Sequence, residues 1–316
     1  MATVPDTRPL ARAAATPAAS RYGDRGPVTL ARALLALGRP RQWLKNALVL
    51  AAPAAGGVLL RPDALERSLV ATVAFVAASA AVYALNDTMD VESDRRHPTK
   101  CRRPVAAGAI SPRLALIAAA AAAVSAVALA SALGWLSPLI VGCYLAVSVA
   151  YTLWLKHLPV VDVVIVAAGF VLRALGGASA VNLRVSSWFL LVSLFGALFI
   201  VSAKRRAEVR SLGPDARTRA SLDAYTGDWL SQVLVMSLTG TLIAYASWAF
   251  QVAGHDTVRP VLAVSVLPVL VALLRYLLMV DRGDGERPEA SLIGDRLLLA
   301  CALVWCALMA WGLYLT

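Results

Sequence analysis

Three aspartates, Asp87, Asp90 and Asp94, stand three and four residues apart in the run N-D-T-M-D-V-E-S-D-R-R-H-P-T-K-C-R-R-P-V-A-A-G, Asn86 to Gly108. On a helix turning about 100° per residue, their carboxylates fall within roughly 60° of one another. Carboxylates so placed repel unless a cation sits among them. An oxygen-only donor set suits Mg²⁺, which keeps waters and is shared with substrate phosphates. Asn86 offers one more oxygen ligand at the head of the stripe. Arg95, Arg96, Lys100, Arg102 and Arg103 follow at once, a supply of phosphate-binding donors. A loop that serves membrane topology alone needs Lys and Arg but no carboxylate stripe. The pattern asks for a metal-bound diphosphate.

Three further clusters carry groups that can join that chemistry. In R-P-R-Q-W-L-K-N (Arg39–Asn46), Lys45 and Asn46 lie at the mouth of an apolar segment, where a lysine can equally snorkel to the surface. In Y-T-L-W-L-K-H-L-P-V-V-D (Tyr151–Asp162), Tyr151 and Lys156 precede a short turn and Asp162 follows it, about one turn inside the next apolar run. Arg173 returns to the face of Asp162 about 16 Å deeper. Ionisable groups at that depth are costly and point to function unless they satisfy one another structurally. In K-R-R-A-E (Lys204–Glu208), Lys204 and Glu208 share a helix face at i and i+4, with Arg205 beside them. Asp223, Tyr225 and Asp228 come later in the same loop.

The elements that position these residues are membrane helices. With 59% hydrophobic and 16% charged residues among 316, the chain is no ordinary soluble domain. Residues 1–27, rich in Ala, Pro and Arg and without an apolar leader, read as a disordered cytoplasmic tail. Residues 28–316 then form one transmembrane domain. It opens with an amphipathic interfacial helix over about 28–42, where Leu30, Leu34 and Leu35 alternate with Arg32, Arg39 and Arg41. Apolar runs at about 43–60, 69–90, 112–133, 135–155, 159–181, 185–203, 229–253, 260–280 and 296–315 predict roughly nine spans. Lys45 and Pro53 interrupt the first. The four cysteines form no C-x-x-C pair and the three histidines are scattered, so a disulfide framework, a zinc site and a His-based metal site are excluded.

The basic surplus has a direction. With the N-terminus inside, 24 of the 30 Lys and Arg fall in cytoplasmic segments and four outside. An odd number of spans then puts the C-terminus outside, and every charged cluster above faces the cytoplasm. The formal charge of +11 is accounted for by topology and by a basic site, with no need of nucleic acid.

N-D-x-x-D-x-x-x-D at the inner end of the second span, in a chain of about nine spans, resembles the UbiA superfamily of intramembrane prenyltransferases. Ordinary members carry a second acidic D-x-x-x-D motif between spans six and seven. This chain has K-R-R-A-E there, and Asp223 and Asp228 are spaced differently. Together with R-P-R-Q-W-L-K-N, V-V-D-V-V-I-V-A-A-G-F-V-L-R-A-L-G-G-A and F-I-V-S-A-K-R-R-A-E, that departure resembles the decaprenyl-phosphate phosphoribosyltransferase branch. The resemblance implies an all-α UbiA-type bundle with a cytoplasmic-side cavity in the plasma membrane. It implies Mg²⁺-dependent transfer of 5-phosphoribose from phosphoribosyl diphosphate (PRPP) to decaprenyl phosphate, with release of pyrophosphate. The product would feed cell-wall arabinan synthesis. Asp87, Asp90, Asp94 and Asn86 would hold the metal. Lys45, Arg95, Lys100, Arg103, Tyr151, Lys156, Asp162, Arg173, Lys204, Arg205 and Glu208 would line the substrates. PRPP, the polyprenyl phosphate and the bilayer are the expected partners, and self-association into a trimer is a further expectation. Two other readings use the same residues: a prenyltransferase acting on an aromatic acceptor, and a transporter or lipid-binding protein without catalysis.

Overall fold

The computed structural model describes residues 27–211, 224–254, 260–283 and 294–315, and these residues are helical with no strand among them. Helix α1 (Pro27–Leu37), at the start of the expected interfacial segment of about 28–42, leads through Arg39 into a 3-10 helix, Pro40–Leu50, and the short α2 (Ala51–Ala55). The membrane bundle proper follows: α3 (Pro62–Met89), the short α4 (Val91–Arg96), α5 (Pro112–Ser131), α6 (Leu136–Leu153), α7 (Val161–Ala180), α8 (Ser187–Ser211) and α9 (Gly227–Gly254). The C-terminal part comprises α10 (Pro260–Val264), α11 (Val266–Arg282) and α12 (Arg296–Ala310), the last continuing into a π-type turn, Trp311–Leu315.

Eight helical stretches among the described residues are long and apolar enough to cross a bilayer. They match the expected spans from the second to the ninth. The first expected span, 43–60, differs: it is the 3-10 helix plus α2, with a 3-10 geometry running through Lys45 and Asn46. A continuous α-helix there would have left Lys45 and the buried Asn46 to find partners along a straight rod. The tighter, broken segment instead lies against α3 and α7.

Local chemistry sets the helix starts. Pro62 and Pro112 occupy first-turn positions where no backbone N–H is needed, and the Ser111 hydroxyl accepts from the Leu114 N–H. The Asp295 carboxylate caps α12 by accepting from the Leu297 and Leu298 N–H groups. Small residues set the packing, as expected where lipid removes the hydrophobic drive between helices. Ala71, Ala74, Ala78 and Ala81 bury one side of α3. Gly240 of α9 lies so close to Phe195 of α8 that an added Cβ would stand 2.6 Å from its ring.

The antiparallel run of helices gathers the C-terminal ends of α3, α6, α8 and α11 with the N-terminal starts of α5, α7, α9 and α12. Ion pairs concentrate at this charged end. The opposite end is held by neutral acceptors: Arg67 donates to the carbonyls of Ala180 (2.5 Å) and Leu133 (2.6 Å), and Tyr314 to that of Ala54 (3.1 Å). Helix α7 runs through the middle of the bundle, with more of its apolar stretch buried than any other span among the described residues (56%).

Candidate active site

The aspartate stripe sits where α3 gives way to α4. Asp87 is in the last turn of α3, Asp90 is the junction residue, and Asp94 lies in α4. Backbone bonds from the Asp90 N–H to the Asn86 carbonyl (2.9 Å) and from the Asp94 N–H to the Asp90 carbonyl (2.8 Å) carry the helical path through the junction. The stripe therefore survives the break. Asp87 and Asp94 are buried, while the Asp90 side chain keeps 28% of its surface exposed.

Each carboxylate meets a cation from a different element. Arg103, beyond α4, places one guanidinium nitrogen, Nη1, 2.6 Å from Asp94 Oδ2 and 3.2 Å from Asp87 Oδ1. Arg39 also donates to Asp87 Oδ1, and its guanidinium lies over the Tyr83 ring, 4.8 Å from the centroid. Lys156, between α6 and α7, donates to Asp90 Oδ1 at 2.7 Å. Arg39 reaches inward because its own backbone is left-handed (φ 51°, ψ 66°), a conformation that turns the chain between α1 and the 3-10 helix. Among the described residues no three acidic, His or Cys groups converge into a ready metal cage. The donor chemistry nevertheless fits a hard divalent cation: three carboxylates at one helix end, with guanidinium and ammonium groups holding the places that metal and phosphate would share. A diphosphate would offer those cations new oxygens, leaving the carboxylates free to hold a divalent cation.

A second cluster faces this one from α7 and α8. Asp162, fully buried in the first turn of α7, accepts from the Tyr225 hydroxyl and lies 3.5 Å from Arg205 Nε. Arg205 also donates to Glu208 Oε2 at 2.8 Å and to the Tyr151 hydroxyl at 3.4 Å. The Tyr225 oxygen accepts from the Val160 N–H at 2.6 Å, and its ring stacks on Trp229 at 4.9 Å. Val160 has φ 68° and ψ −49°, a γ-turn conformation that strains a β-branched residue and that the Tyr225 contact holds in place. Burial, then the hydrogen bond to Asp162, push the Tyr225 phenol well above its ordinary range.

Arg173 belongs to neither cluster. It is buried and donates to the Asn46 side-chain oxygen (2.8 Å), the Gly169 carbonyl (2.9 Å), the Tyr144 hydroxyl (2.8 Å) and Ser79 Oγ (3.2 Å). The shared face with Asp162 is real, but the partners of Arg173 are neutral groups of the helices around it.

The other sequence candidates divide. Lys45, Lys100 and Asn86 are half-buried. Arg95 is exposed, with a long bond (3.4 Å) to the Ala106 carbonyl. Lys204 is exposed, and the residue that turns inward toward Glu208 is Arg205, through an i,i+3 pair in place of the expected i,i+4 pair. Asp223 lies outside the described residues, and Asp228 is exposed.

Sequence reasoning did not single out Arg39, Ser79 or Tyr144, and treated Tyr225 only as part of a loop. Tyr144 and Tyr151 had a readable signal: seven residues apart on one helix, they share a face and meet Arg173 and Arg205 in turn. The inward reach of Arg39 depends on its positive φ, which a sequence does not announce.

The chain is similar to known proteins. Residues 47–302 match the UbiA prenyltransferase family. A decaprenyl-phosphate phosphoribosyltransferase from Mycobacterium tuberculosis is 40% identical over 89% of this chain and 94% of its own length. The protein of that name from Corynebacterium glutamicum is 38% identical over 90% of this chain and 88% of its own. Among solved structures, a UbiA homolog from Archaeoglobus fulgidus bound to GPP and Mg²⁺ has a TM-score of 0.69 at 19% identity, covering 89% of this chain and 98% of that one. That likeness speaks for the fold: an all-helical bundle of an integral membrane protein. With the matched region spanning most of the chain, the protein belongs to the UbiA prenyltransferase family.

Proposed function

We propose that the protein transfers 5-phosphoribose from PRPP to decaprenyl phosphate, releasing pyrophosphate. The relatives at 37–40% identity over about nine-tenths of the chain carry that activity in their names. The observation that carries the reading here is the unlike make-up of the two clusters. One holds three carboxylates with exchangeable cations; the other, where prenyltransferases have a second acidic motif, presents Arg205 over a single buried aspartate.

Asp87, Asp90 and Asp94, with Asn86, would hold Mg²⁺ on the donor diphosphate. Bound there, the ion would stabilise the negative charge that gathers on the leaving pyrophosphate. Arg39, Arg103 and Lys156, released from the carboxylates, would take phosphate oxygens, and Lys45 and Lys100 would join them. The acceptor is already a phosphate anion, so no strong general base is needed to make the nucleophile. What the site must supply is positive charge to bring two anions together, and Arg205 supplies it. Attack of the lipid phosphate oxygen on the anomeric carbon forms the new C–O bond as the bond to pyrophosphate breaks. In-line displacement inverts that carbon, from α-donor to β-product. The product, decaprenylphosphoryl-5-phosphoribose, would serve cell-wall arabinan synthesis.

The deciding assay supplies detergent-solubilised protein with labelled PRPP and decaprenyl phosphate, with and without Mg²⁺. Metal-dependent label in the lipid phase with stoichiometric pyrophosphate is expected. Label transfer from a prenyl diphosphate to an aromatic acceptor would replace this reading with the prenyltransferase one. We further propose that the charged end faces the cytoplasm of a plasma-membrane protein. A cysteine placed at the exposed Ser93 should then react with impermeant thiol reagents only from the inside, and one at the exposed Arg61 only from the outside.

A further inference from the structure

A donor carrying a prenyl chain and one carrying a ribose make opposite demands on the space beneath the aspartates. The chain needs an apolar channel leading away from the diphosphate. The sugar needs a short pocket with a closed, polar bottom. In this protein the space between α3, α6 and α7 is closed by Arg173 and its partners. Ser79 lies eight residues before Asp87 on α3, about 12 Å toward the middle of the membrane. At that level Asn46, Ser79, Tyr144 and Arg173, from the 3-10 helix, α3, α6 and α7, are each nine-tenths buried or more.

They form one hydrogen-bonded unit. Four of the five guanidinium N–H donors of Arg173 are used, on Asn46, Gly169, Tyr144 and Ser79. Ser79 Oγ in turn donates to the Asn46 oxygen at 3.2 Å. The Tyr144 and Phe170 rings flank the guanidinium, their centroids 4.7 and 5.5 Å from its carbon. Separating buried groups so well satisfied costs the full desolvation of each, which an entering methylene does not return.

Below the unit the helices touch. A Cβ on Gly177 would stand 1.7 Å from the Val49 carbonyl oxygen, and one on Gly176 would stand 2.1 Å from the Phe75 ring. Phe75 itself packs edge-on against Tyr144, with ring centroids 5.5 Å apart. Two consecutive glycines thus press α7 onto the backbone of the broken first segment and onto α3.

The geometry points to a specificity floor: the Asn46–Ser79–Tyr144–Arg173 unit limits the donor pocket to a short polar diphosphate and refuses the tail of a prenyl diphosphate. This inference deepens the proposed phosphoribosyl transfer and rests on it for the identity of the donor. Arg173 is a specificity-determining residue here, and the tail of the lipid acceptor must enter from another side.

The test compares inorganic pyrophosphate with farnesyl diphosphate as inhibitors of PRPP-dependent transfer in the wild-type protein. A buried prenyl tail would add at least about a hundredfold in affinity, since every buried methylene contributes several-fold. The floor predicts that, in competition against PRPP, farnesyl diphosphate gains less than about threefold over pyrophosphate. A hundredfold gain competitive with PRPP overturns it. A gain competitive only with polyprenyl phosphate supports it, because the tail is then read at the acceptor site. In the double variant Arg173→Met with Asn46→Leu, folded by size exclusion, the competition against PRPP should strengthen at least about tenfold. An unchanged value in that folded variant also overturns the floor. If the protein turns over no PRPP, the phosphoribosyl reading fails by itself. The two diphosphates are then ranked by how far each raises the melting temperature with Mg²⁺ present. Equal shifts, or a larger farnesyl shift that saturating polyprenyl phosphate removes, support the floor, and a much larger farnesyl shift that persists in its presence overturns it.

Discussion

The two ionic clusters at the charged end are built from the same residue types and are held in different ways. Around Asp87, Asp90 and Asp94, each cation comes from its own element: Arg39 from the turn after α1, Arg103 from the loop after α4, and Lys156 from the turn between α6 and α7. Those side chains remain partly exposed, between 17% and 24%. Around Asp162 the carboxylate and Arg205 are almost sealed, and a tyrosine hydroxyl fastens the carboxylate to the backbone of a strained turn. A part-exposed pair can trade partners when a phosphate or a metal arrives, because water helps each charge through the exchange. The sealed Asp162–Arg205 contact cannot be given up that way, because either charge left alone inside is heavily penalised; Arg205 can meet an arriving phosphate only on the side of its part-exposed partner Glu208. The difference points to exchange at the aspartate stripe and to a fixed, oriented positive charge, Arg205 held by Asp162, at the second cluster.

The largest effect should follow loss of the exchangeable carboxylates. Asp87→Asn or Asp90→Asn is expected to lower turnover by about 100- to 1000-fold, the scale of removing one group that stabilises charge in the transition state. The proteins should still insert and elute as folded species. Initial rates over a Mg²⁺ titration check this, and normal metal-dependent turnover in both variants would remove the stripe from the chemistry.

Arg205 and Lys204 come next, one buried and one exposed, side by side on α8. A charge-assisted contact to a lipid phosphate contributes roughly 1.5–3 kcal/mol, so Arg205→Gln should weaken the apparent affinity for polyprenyl phosphate about ten- to a hundredfold. PRPP affinity should move less, because the Asp87–Asp94 stripe is untouched. Lys204→Gln should change either constant by less than about threefold, as for an exposed charge. Apparent constants for both substrates decide it. A fall in PRPP affinity alone would assign Arg205 to the donor's 5-phosphate.

Much of this was legible in the sequence because membrane physics writes in long runs. A span needs about twenty apolar residues, and a stripe of three aspartates just past one cannot hide. Asp87, Asp94, Arg103 and Lys156 were therefore readable as neighbours in kind, and Asp162 and Arg173 as intramembrane charges. The pairing was not readable. Whether Arg103 or Arg102 meets Asp94 depends on the fold of the short loop between α4 and α5. The inward turn of Arg205 in place of Lys204 depends on how α8 is rotated against α7, and three consecutive basic residues, Lys204 to Arg206, leave that angle open. The break in the first apolar run was not readable for a related reason. Its hydropathy is adequate, but Lys45, Asn46 and Pro53 needed partners that only a broken helix against α7 provides.

Tyr225→Phe examines the sealed cluster without adding charge. It takes a donor from the buried Asp162 and an acceptor from the Val160 N–H. The expected loss is about 1–3 kcal/mol of stability, seen as a melting temperature lower by a few degrees. Because the phenol's pKa is raised in the folded protein, its contribution is full below the unfolded value of about 10 and fades only above it. The gap between variant and parent should thus be constant from about pH 6 to about pH 9. Turnover at saturating substrates should change less than stability does. A collapse of turnover in a folded, stable variant would move Tyr225 from positioning into the chemistry.

The smallest effect belongs to a third pair that imitates the site's geometry outside it. Arg275 Nη2 and Asp295 Oδ2 lie 2.7 Å apart, nearly the spacing of Arg103 and Asp94. Here, however, the carboxylate is already committed as the cap of α12. The side-chain hydrogen bond from Arg275, then the Leu298 N–H, hold the Asp295 carboxyl below its usual range. A depressed carboxylate contributes stability that is present above the unfolded value of about 3.9 and is lost as pH falls through the folded one. Wild-type melting temperature should therefore drop more between about pH 5 and about pH 2 than that of Asp295→Asn, which keeps a capping oxygen but has no charge to lose. At neutral pH the variant should melt only slightly lower and turn over PRPP at the parent rate. If it instead loses activity as Asp90→Asn does, spacing alone would make an ion pair functional here. Exchangeable partners would then no longer distinguish the proposed metal-binding carboxylates from one committed as a helix cap.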